Sequence, residues 1–392
     1  MRILTFLHSF EPGGVERVAL RLVRQWRGEG VDAPLFLGRA SGVLRDELAG
    51  DIDFHLPRQP RFSVAWFETA WMVLTLPAII RRLRPDVLFC AGNSYTVVAV
   101  AMKLLLGSRC PPVLAKISND LNRQDMPWPA RAFYRLWLRI QGRFIDHFVA
   151  MAPGLEREIA TLIRPRAVAI SVIPSPALSD AQIDLLRSLP PTQPRQEGAA
   201  RRFVTIGRLA RQKNLPLMLK AFAQGAVAAD RLVIYGEGPE RGALIRLADR
   251  LGLQGRIEFA GHVPDPAAWL RPGDIFLLSS DYEGVPAVIL EALAAGVRII
   301  ATDCSAAMRP LLDDGRLGRL VPPGDARAFA QAIRESEALA QDGAASLRQA
   351  RRFTLEDAAP SYLDAFAAII TASRPGRQER PAATPSHITS MT

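Results

Sequence analysis

The sequence predicts an α/β protein of two doubly wound, Rossmann-like domains facing each other across a cleft. Three observations carry this. Short apolar runs of strand character alternate with helical stretches along the chain, the pattern of βαβ units and a parallel sheet. The rhythm stops at residues 189–200 (LPPTQPRQEGAA), a polar, Pro-rich stretch without periodicity, and restarts beyond it. A length of 392 residues suits two domains better than one or three.

The first domain, 1–188, opens with the strand RILTFLHS. The helix GVERVALRLVRQWRGEG follows and ends at Gly30, and APLFLGR is the next strand. The longest apolar stretch runs from Val64 to Ile80 and contains Glu68 and Pro77. It lies at the short limit for a membrane span and reads as a buried helix, with a membrane-surface face as the other option. PDVLFCAG, PVLAKIS, HFVAMA and AVAISVIP supply later strands. Beyond the linker, residues 201–355 form the second domain. RFVTIGR, RLVIYGEG, RIEFAG, DIFLLSS and VRIIATD are its strands; LPLMLKAFAQGA, ERGALIRLADRLG and AVILEALAAG are helices between them. A closing helix over about 356–372 is expected to pack back on the first domain. The polar tail from Ser373 to Thr392 is expected to be disordered.

Apolar residues make up 49% and charged residues 22%, which excludes wholesale disorder, collagen and coiled coil. Cys90, Cys110 and Cys304 are far apart and form neither a disulfide framework nor a zinc knuckle, so a reducing cytoplasm is the simplest compartment. Residues 1–8 are too short for the apolar region of a signal peptide. Net charge is +10, unevenly spread: residues 1–195 carry 25 Lys+Arg against 17 Asp+Glu, the remainder 24 against 22. The basic first half suggests an anionic contact, a phosphorylated substrate or lipid headgroups, or else an Arg-rich composition without a binding role. Zinc-finger spacings, RNA-binding aromatic motifs and basic-region heptads are absent, so no nucleic-acid partner is expected.

In open parallel sheets ligands sit outside the carboxyl ends of the strands, so the loops there are the candidate positions for a site. Gly13 and Gly14 precede helix one, where the first N–H groups offer an anion site or simply a tight turn. Gly207-Arg208 and Lys213 follow the first strand of the second domain. The two cations can address one diphosphate, or can belong to a solvated basic loop. Glu283-Gly284-Val285-Pro286 runs into the apolar helix containing Glu291, where a carboxylate is costly unless something binds it. Asp51-Ile52-Asp53 is a D-x-D, a spacing that can hold a metal or begin an edge strand.

These strings resemble the retaining glycosyltransferases of the GT-B fold, the large family 4 group that uses nucleotide-diphosphate sugars. The resemblance runs from Gly13-Gly14 to about Phe366. Its most specific element is the E-x7-E string Glu283…Glu291, followed by the G-R-x-x-x-x-K string of Gly207, Arg208 and Lys213. Y-G-E-G-P (Tyr235 to Pro239), F-A-G-H-V (Phe259 to Val263) and V-P-P-G-D (Val321 to Asp325) also fit.

The resemblance implies that the Gly14 N–H meets the diphosphate, and that Arg208 and Lys213 neutralise it in place of a metal. It gives Glu283 the hydroxyls of the transferred sugar and Glu291 those of the ribose. Gly284, Val285 and Pro286 would offer backbone groups, and Gly236, Glu237, His262 and Val263 would line the base pocket. It further implies retention of configuration, no cofactor, a nucleotide-sugar donor, and a saccharide or lipid-linked acceptor. The setting would be cell-surface polysaccharide or glycolipid synthesis, in the cytoplasm or peripherally on the inner membrane face. A GT-B epimerase or phosphorylase-like enzyme, or a binding protein with impaired catalysis, is the alternative. The chain departs from the family near the acceptor: Ser118-Asn119-Asp120 stand where many members carry a His, and His8 is the other candidate on that side.

Overall fold

The computed structural model describes residues 1–373 apart from 12, 49, 51, 61–63, 65, 119–120, 124–125, 167–169, 189–199, 264 and 340. The expected linker and tail, Asn119, Asp120 and Asp51 therefore lie outside the described residues, except for Ala200 and Ser373 at their edges.

The first sheet takes β1 (Ile3–Leu7), β2 (Leu35–Leu37), β3 (Phe54–His55), β4 (Val87–Cys90), β5 (Val113–Ile117), β6 (His147–Ala150) and β7 (Ile170–Val172) in the order β3-β2-β1-β4-β5-β6-β7. The second takes β8 (Arg202–Ile206), β9 (Arg231–Tyr235), β10 (Ile257–Gly261), β11 (Ile275–Leu278), β12 (Arg298–Thr302) and β13 (Arg319–Val321) in the order β10-β9-β8-β11-β12-β13. Every pairing is parallel. The central strands β1, β4 and β5 are buried throughout, as strands covered on both faces must be.

The first domain's helices are α1 (Gly14–Gly28), α2 (Leu44–Leu48), α3 (Glu68–Leu83), α4 (Thr96–Leu106), α5 (Trp128–Phe144), α6 (Leu155–Glu158) and α7 (Asp180–Ser188). The second contributes α8 (Leu215–Gly225), α9 (Arg241–Arg250), α10 (Ala287–Ala295), α11 (Met308–Leu311), α12 (Ala326–Arg334), α13 (Gly343–Arg351) and α14 (Leu355–Ala372). Strand order reverses after β3. Right-handed crossovers then put the helices leaving β3, β4 and β5 on the face opposite α1. There α3, α4 and α5 pack side by side, while α14 lies against α1. The fully buried Trp26 of α1 seals that contact, with its ring 5.5 Å from Phe89, 6.1 Å from Tyr362 and 5.4 Å from Phe366. Edge-to-face packing of this kind adds to simple area burial.

One sequence expectation changes, and the edge-strand reading of Asp51-Ile52-Asp53 is met at Asp53. The Val64 to Ile80 stretch is not a buried helix: α3 buries only Met72, Leu76, Ile79 and Ile80, while Trp66 ahead of it is 95% exposed and Leu74 73%. Its apolar residues run all round the helix, and the sheet covers only one side. Asp53 is exposed directly before β3, which is an edge strand of the first sheet.

Each sheet has one switch point, between β1 and β4 in the first and between β8 and β11 in the second. The loops leaving β1, β8 and β11 hold Gly13-Gly14, the string from Gly207 to Lys213 and the string from Glu283 to Pro286. They are the places where open α/β sheets take ligands.

Candidate active site

At the second switch point β8 ends at Ile206, and Gly207 turns the chain at φ +156°, a conformation that favours glycine. A Cβ on Gly236, after β9, would collide with the Gly207 carbonyl, so the close approach of the two loops needs glycine at 236. A short 3₁₀ turn, Arg211–Lys213, then presents Lys213. Asn214 follows in the left-handed region and caps α8 by accepting from the Leu217 N–H. Its side-chain amide donates to Asp281 at 2.6 Å, which ties the turn to the loop after β11.

That loop supplies the counter-charge. Lys213 Nζ lies 2.5 Å from Glu283 Oε1, and the Ser280 hydroxyl donates to the same oxygen at 2.7 Å. Ser279 donates to the Lys213 carbonyl at 2.8 Å, Gln212 Nε2 to the Tyr282 carbonyl at 2.9 Å, and Thr302 Oγ1 to the Ser280 carbonyl at 2.6 Å. Glu283 is only 7% exposed, so desolvation is offset by a cation and a hydroxyl together. Burial pushes the neighbouring Cys304 thiol up to about 12, with the Glu283 charge adding to it, and that thiol stays protonated. Arg208 is exposed. The two cations expected to act alike thus differ: Lys213 is fixed by Glu283, and Arg208 faces solvent.

Pro286 is the N-cap residue of α10, not part of its first turn, and Val285 is half-buried beside it. One helical turn in, Glu291 Oε2 is buried without a hydrogen-bond partner. Burial raises its pKa to about 7; Asp265 adds to the rise, and Arg21 and Arg17 of α1 oppose it. Glu291 also lines a small cavity with Leu178, Gln182 and Asp265. Glu237 is exposed and pairs with Arg241 at 3.5 Å, while the Gly236 N–H donates to the Gly261 carbonyl at 2.7 Å. Val263 packs half-buried on the main core and His262 is exposed.

Across the cleft, Gly13 is the N-cap of α1. A Cβ on Gly13 would collide with the Glu16 carboxylate, whereas one on Gly14 meets nothing within 4 Å. Glu16 folds back against Gly13, and Gly14 is the position with open space. The Tyr95 hydroxyl donates to Glu16 Oε1 at 2.5 Å. His8 stacks on Tyr95 with ring centroids 4.6 Å apart and lies 3.3 Å from Thr69 Oγ1; burial lowers its pKa. Lys116 on β5 is 2% exposed; burial lowers it to about 8, and Glu16 opposes the shift. Ser118 N–H donates to Asn93 Oδ1 at 2.6 Å and joins the loops after β4 and β5.

The two halves meet at Gly284. A Cβ there would collide with the Ser118 carbonyl, and Ser305 Oγ donates to the Gly284 carbonyl at 3.1 Å from the other side. Nearby the Arg123 guanidinium sits 5.1 Å from the centre of the Tyr282 ring. Glu283, Lys213, Gly284 and Ser118 are thus brought into one neighbourhood. Sequence reasoning missed Ser280, Gln212, Glu16, Tyr95, Lys116 and Arg123. Two of these had a signal: the Ser-Ser pair closes a strand, and Glu16 stands three residues after its N-cap, as in a capping box. Among the described residues no group of three or more His, Cys, Asp or Glu is arranged to hold a metal ion.

Two facing Rossmann-like domains, with a lysine–glutamate pair at the switch point of the second and a glycine turn opposite, define a GT-B transferase. Family models agree on both halves: "Glycosyltransferase Family 4" matches residues 12–177 and "Glycosyl transferases group 1" matches residues 200–337. The lipopolysaccharide core biosynthesis glycosyltransferase LpsE of Rhizobium meliloti is 26% identical over 358 residues, 89% of this chain and 92% of that protein. Among solved structures, the lipopolysaccharide outer core galactosyltransferase WaaB superposes with a TM-score of 0.72 at 18% identity, covering 94% of this chain and 99% of that one. Anabaena HepE, solved with UDP and glucose, gives 0.72 at 20% identity over 94% and 100%. The chain belongs to the family 4, group 1 glycosyltransferases.

Proposed function

We propose that the protein is a retaining, metal-independent glycosyltransferase. It would move a sugar from a nucleotide-diphosphate donor to a saccharide or lipid-linked acceptor, in bacterial-type cell-surface polysaccharide or glycolipid synthesis. The observation that carries this reading is the Lys213–Glu283 pair at 2.5 Å, held beside the backbone approach of Gly284 to Ser118. The names of LpsE and WaaB, and the UDP and glucose bound to HepE, support the donor class and the setting.

In this reading Arg208, Lys213 and the Gly14 N–H offset charge building on the departing diphosphate, which is the task a metal performs elsewhere. Glu283, already oriented by Lys213 and Ser280, accepts hydrogen bonds from sugar hydroxyls. Glu291 accepts from the ribose. The bond from the anomeric carbon to the phosphate oxygen breaks, and the acceptor oxygen bonds on the same face. The acceptor proton passes to the departing phosphate oxygen.

The test is donor titration by calorimetry with UDP, GDP and ADP sugars in EDTA, followed by NMR of the product's anomeric proton. Binding in EDTA and a product with the donor's configuration are expected. A large loss of affinity in EDTA would overturn metal independence, and an inverted product would overturn retention. Donor turnover that never yields a glycosylated acceptor would favour the epimerase or phosphorylase-like reading.

A further inference from the structure

The outer layer of the first domain is unusual for a soluble α/β unit. Helices there normally turn polar residues outward. Here Leu74 of α3, Leu104 and Leu105 of α4, and Leu136 of α5 are all exposed, as is Phe133 at 75%. These three helices are consecutive neighbours, so their exposed side chains belong to one layer rather than being scattered. Trp66 and Trp128, the latter 79% exposed, stand at the starts of α3 and α5. Both helices follow strands, so both tryptophans lie at the cleft end of the layer.

The charges on the same layer have one sign. α5 carries Arg131, Arg135, Arg139 and Arg143 at every fourth position and no acidic residue. Fourfold spacing aligns them along one side of the helix, and Arg135 and Arg143 are exposed. The only acidic residue in the three helices is Glu68, which pairs with Arg39. Exposed aromatic and leucine side chains beside the exposed Arg135 and Arg143 match a bilayer interface with negative headgroups. Among the described residues no helix is long and apolar enough to cross a membrane.

We propose that the outer face of α3, α4 and α5 docks the protein on an anionic lipid bilayer, with the cleft end at the headgroups. Docking needs only this face and is independent of donor chemistry. The benefit of that orientation, access to a lipid-linked acceptor, rests on the transferase reading.

The test is co-sedimentation of the full chain with phosphatidylcholine vesicles, with and without phosphatidylglycerol. Binding to the anionic vesicles alone is expected. Arg135→Gln with Arg143→Gln should weaken it by roughly thirtyfold, the scale for two juxtamembrane charges. Phe133→Ser with Leu136→Ser should weaken it independently of salt. Nucleotide-diphosphate affinity, measured on the same variants, should stay at the wild-type value and shows that they fold. Equal binding to neutral vesicles would overturn the electrostatic half of the proposal. Failure to bind either vesicle would overturn the whole, as would a dimer in sedimentation velocity that the Phe133 and Leu136 substitutions dissolve. Loss of donor binding in the wild type would refute the transferase reading and leave the vesicle result standing.

Discussion

Glu291→Gln should change how stability depends on pH. The carboxyl titrates at about 7 in the folded protein against an ordinary 4.5, chiefly because burial disfavours the charged form. At 1.36 kcal/mol per pKa unit, ionising it in place costs about 3 kcal/mol. The folded state holds the proton more tightly than the unfolded chain does. The stabilisation from this group is therefore complete below the unfolded pKa and is lost as pH rises through the folded one. Glutamine keeps the shape of the protonated acid and does not titrate. Urea unfolding at about pH 5 and about pH 8 should show wild type losing about 2–3 kcal/mol relative to the variant. The structure places the effect at one oxygen, Oε2, which is buried without a partner beside Asp265, with Arg21 and Arg17 in partial opposition. Nucleotide affinity should follow the same titration if Glu291 holds the ribose. It should strengthen through neutral pH in wild type and stay flat in the variant. Parallel stability curves for the two proteins would refute the reasoning, because they would mean that Glu291 titrates as a solvated carboxylate.

Lys213→Ala should cost roughly 2–4 kcal/mol of transition-state stabilisation in kcat/KM, the scale for one preorganised charge; unchanged turnover would leave its pairing with Glu283 purely structural. Gly284→Ala pushes a methyl group into the Ser118 carbonyl, and the strain of an overpacked contact, about 1–3 kcal/mol, should appear as lower kcat/KM with the fold retained by circular dichroism. Lys116→Met removes a buried ammonium whose pKa is lowered to about 8 from 10.5. The wild type carries the cost of that charge below about 8 and sheds it as pH rises towards 10.5, so its stability should gain on the variant between those values in thermal melts.

The parts of the site readable in sequence are those that local chemistry fixes. Gly207 sits at a strand end with a backbone conformation that favours glycine, and it announces itself. Glu291 stands alone in an apolar helix and marks a buried carboxylate without any structure. The Val64 to Ile80 pattern also admits a helix with an apolar outer face. Composition alone could not choose between a buried helix and one with an apolar outer face, because the choice depends on how much of the helix the sheet covers. From sequence Gly13 offers an anion site or a tight turn; its neighbour in the structure is Glu16, a local contact that a capping-box pattern points to.

What sequence could not show is that Lys213 and Glu283 answer each other. Seventy residues separate them, and nothing local links the G-R-x-x-x-x-K string to the E-x7-E string. The link is topological. β11 returns across the sheet to lie beside β8, so the loop ending in Lys213 and the loop carrying Glu283 leave neighbouring strands at the switch point. Ser279 then joins the two loops by donating to the Lys213 carbonyl, while Ser280 braces Glu283 within its own loop and Thr302 holds that loop from β12. The same argument places Ser118 opposite Gly284, since β5 lies beside β4 at the switch point of the other sheet. The E-x7-E string therefore does its work only in this fold. Glu283 takes its orientation from a lysine in the turn after another strand, and Glu291 its altered pKa from burial and from charges that include two arginines of the other domain. A mutation at Arg21 should accordingly move the Glu291 titration upward, which ties this carboxylate to the other domain, whereas Glu283 is held by Lys213 of its own domain.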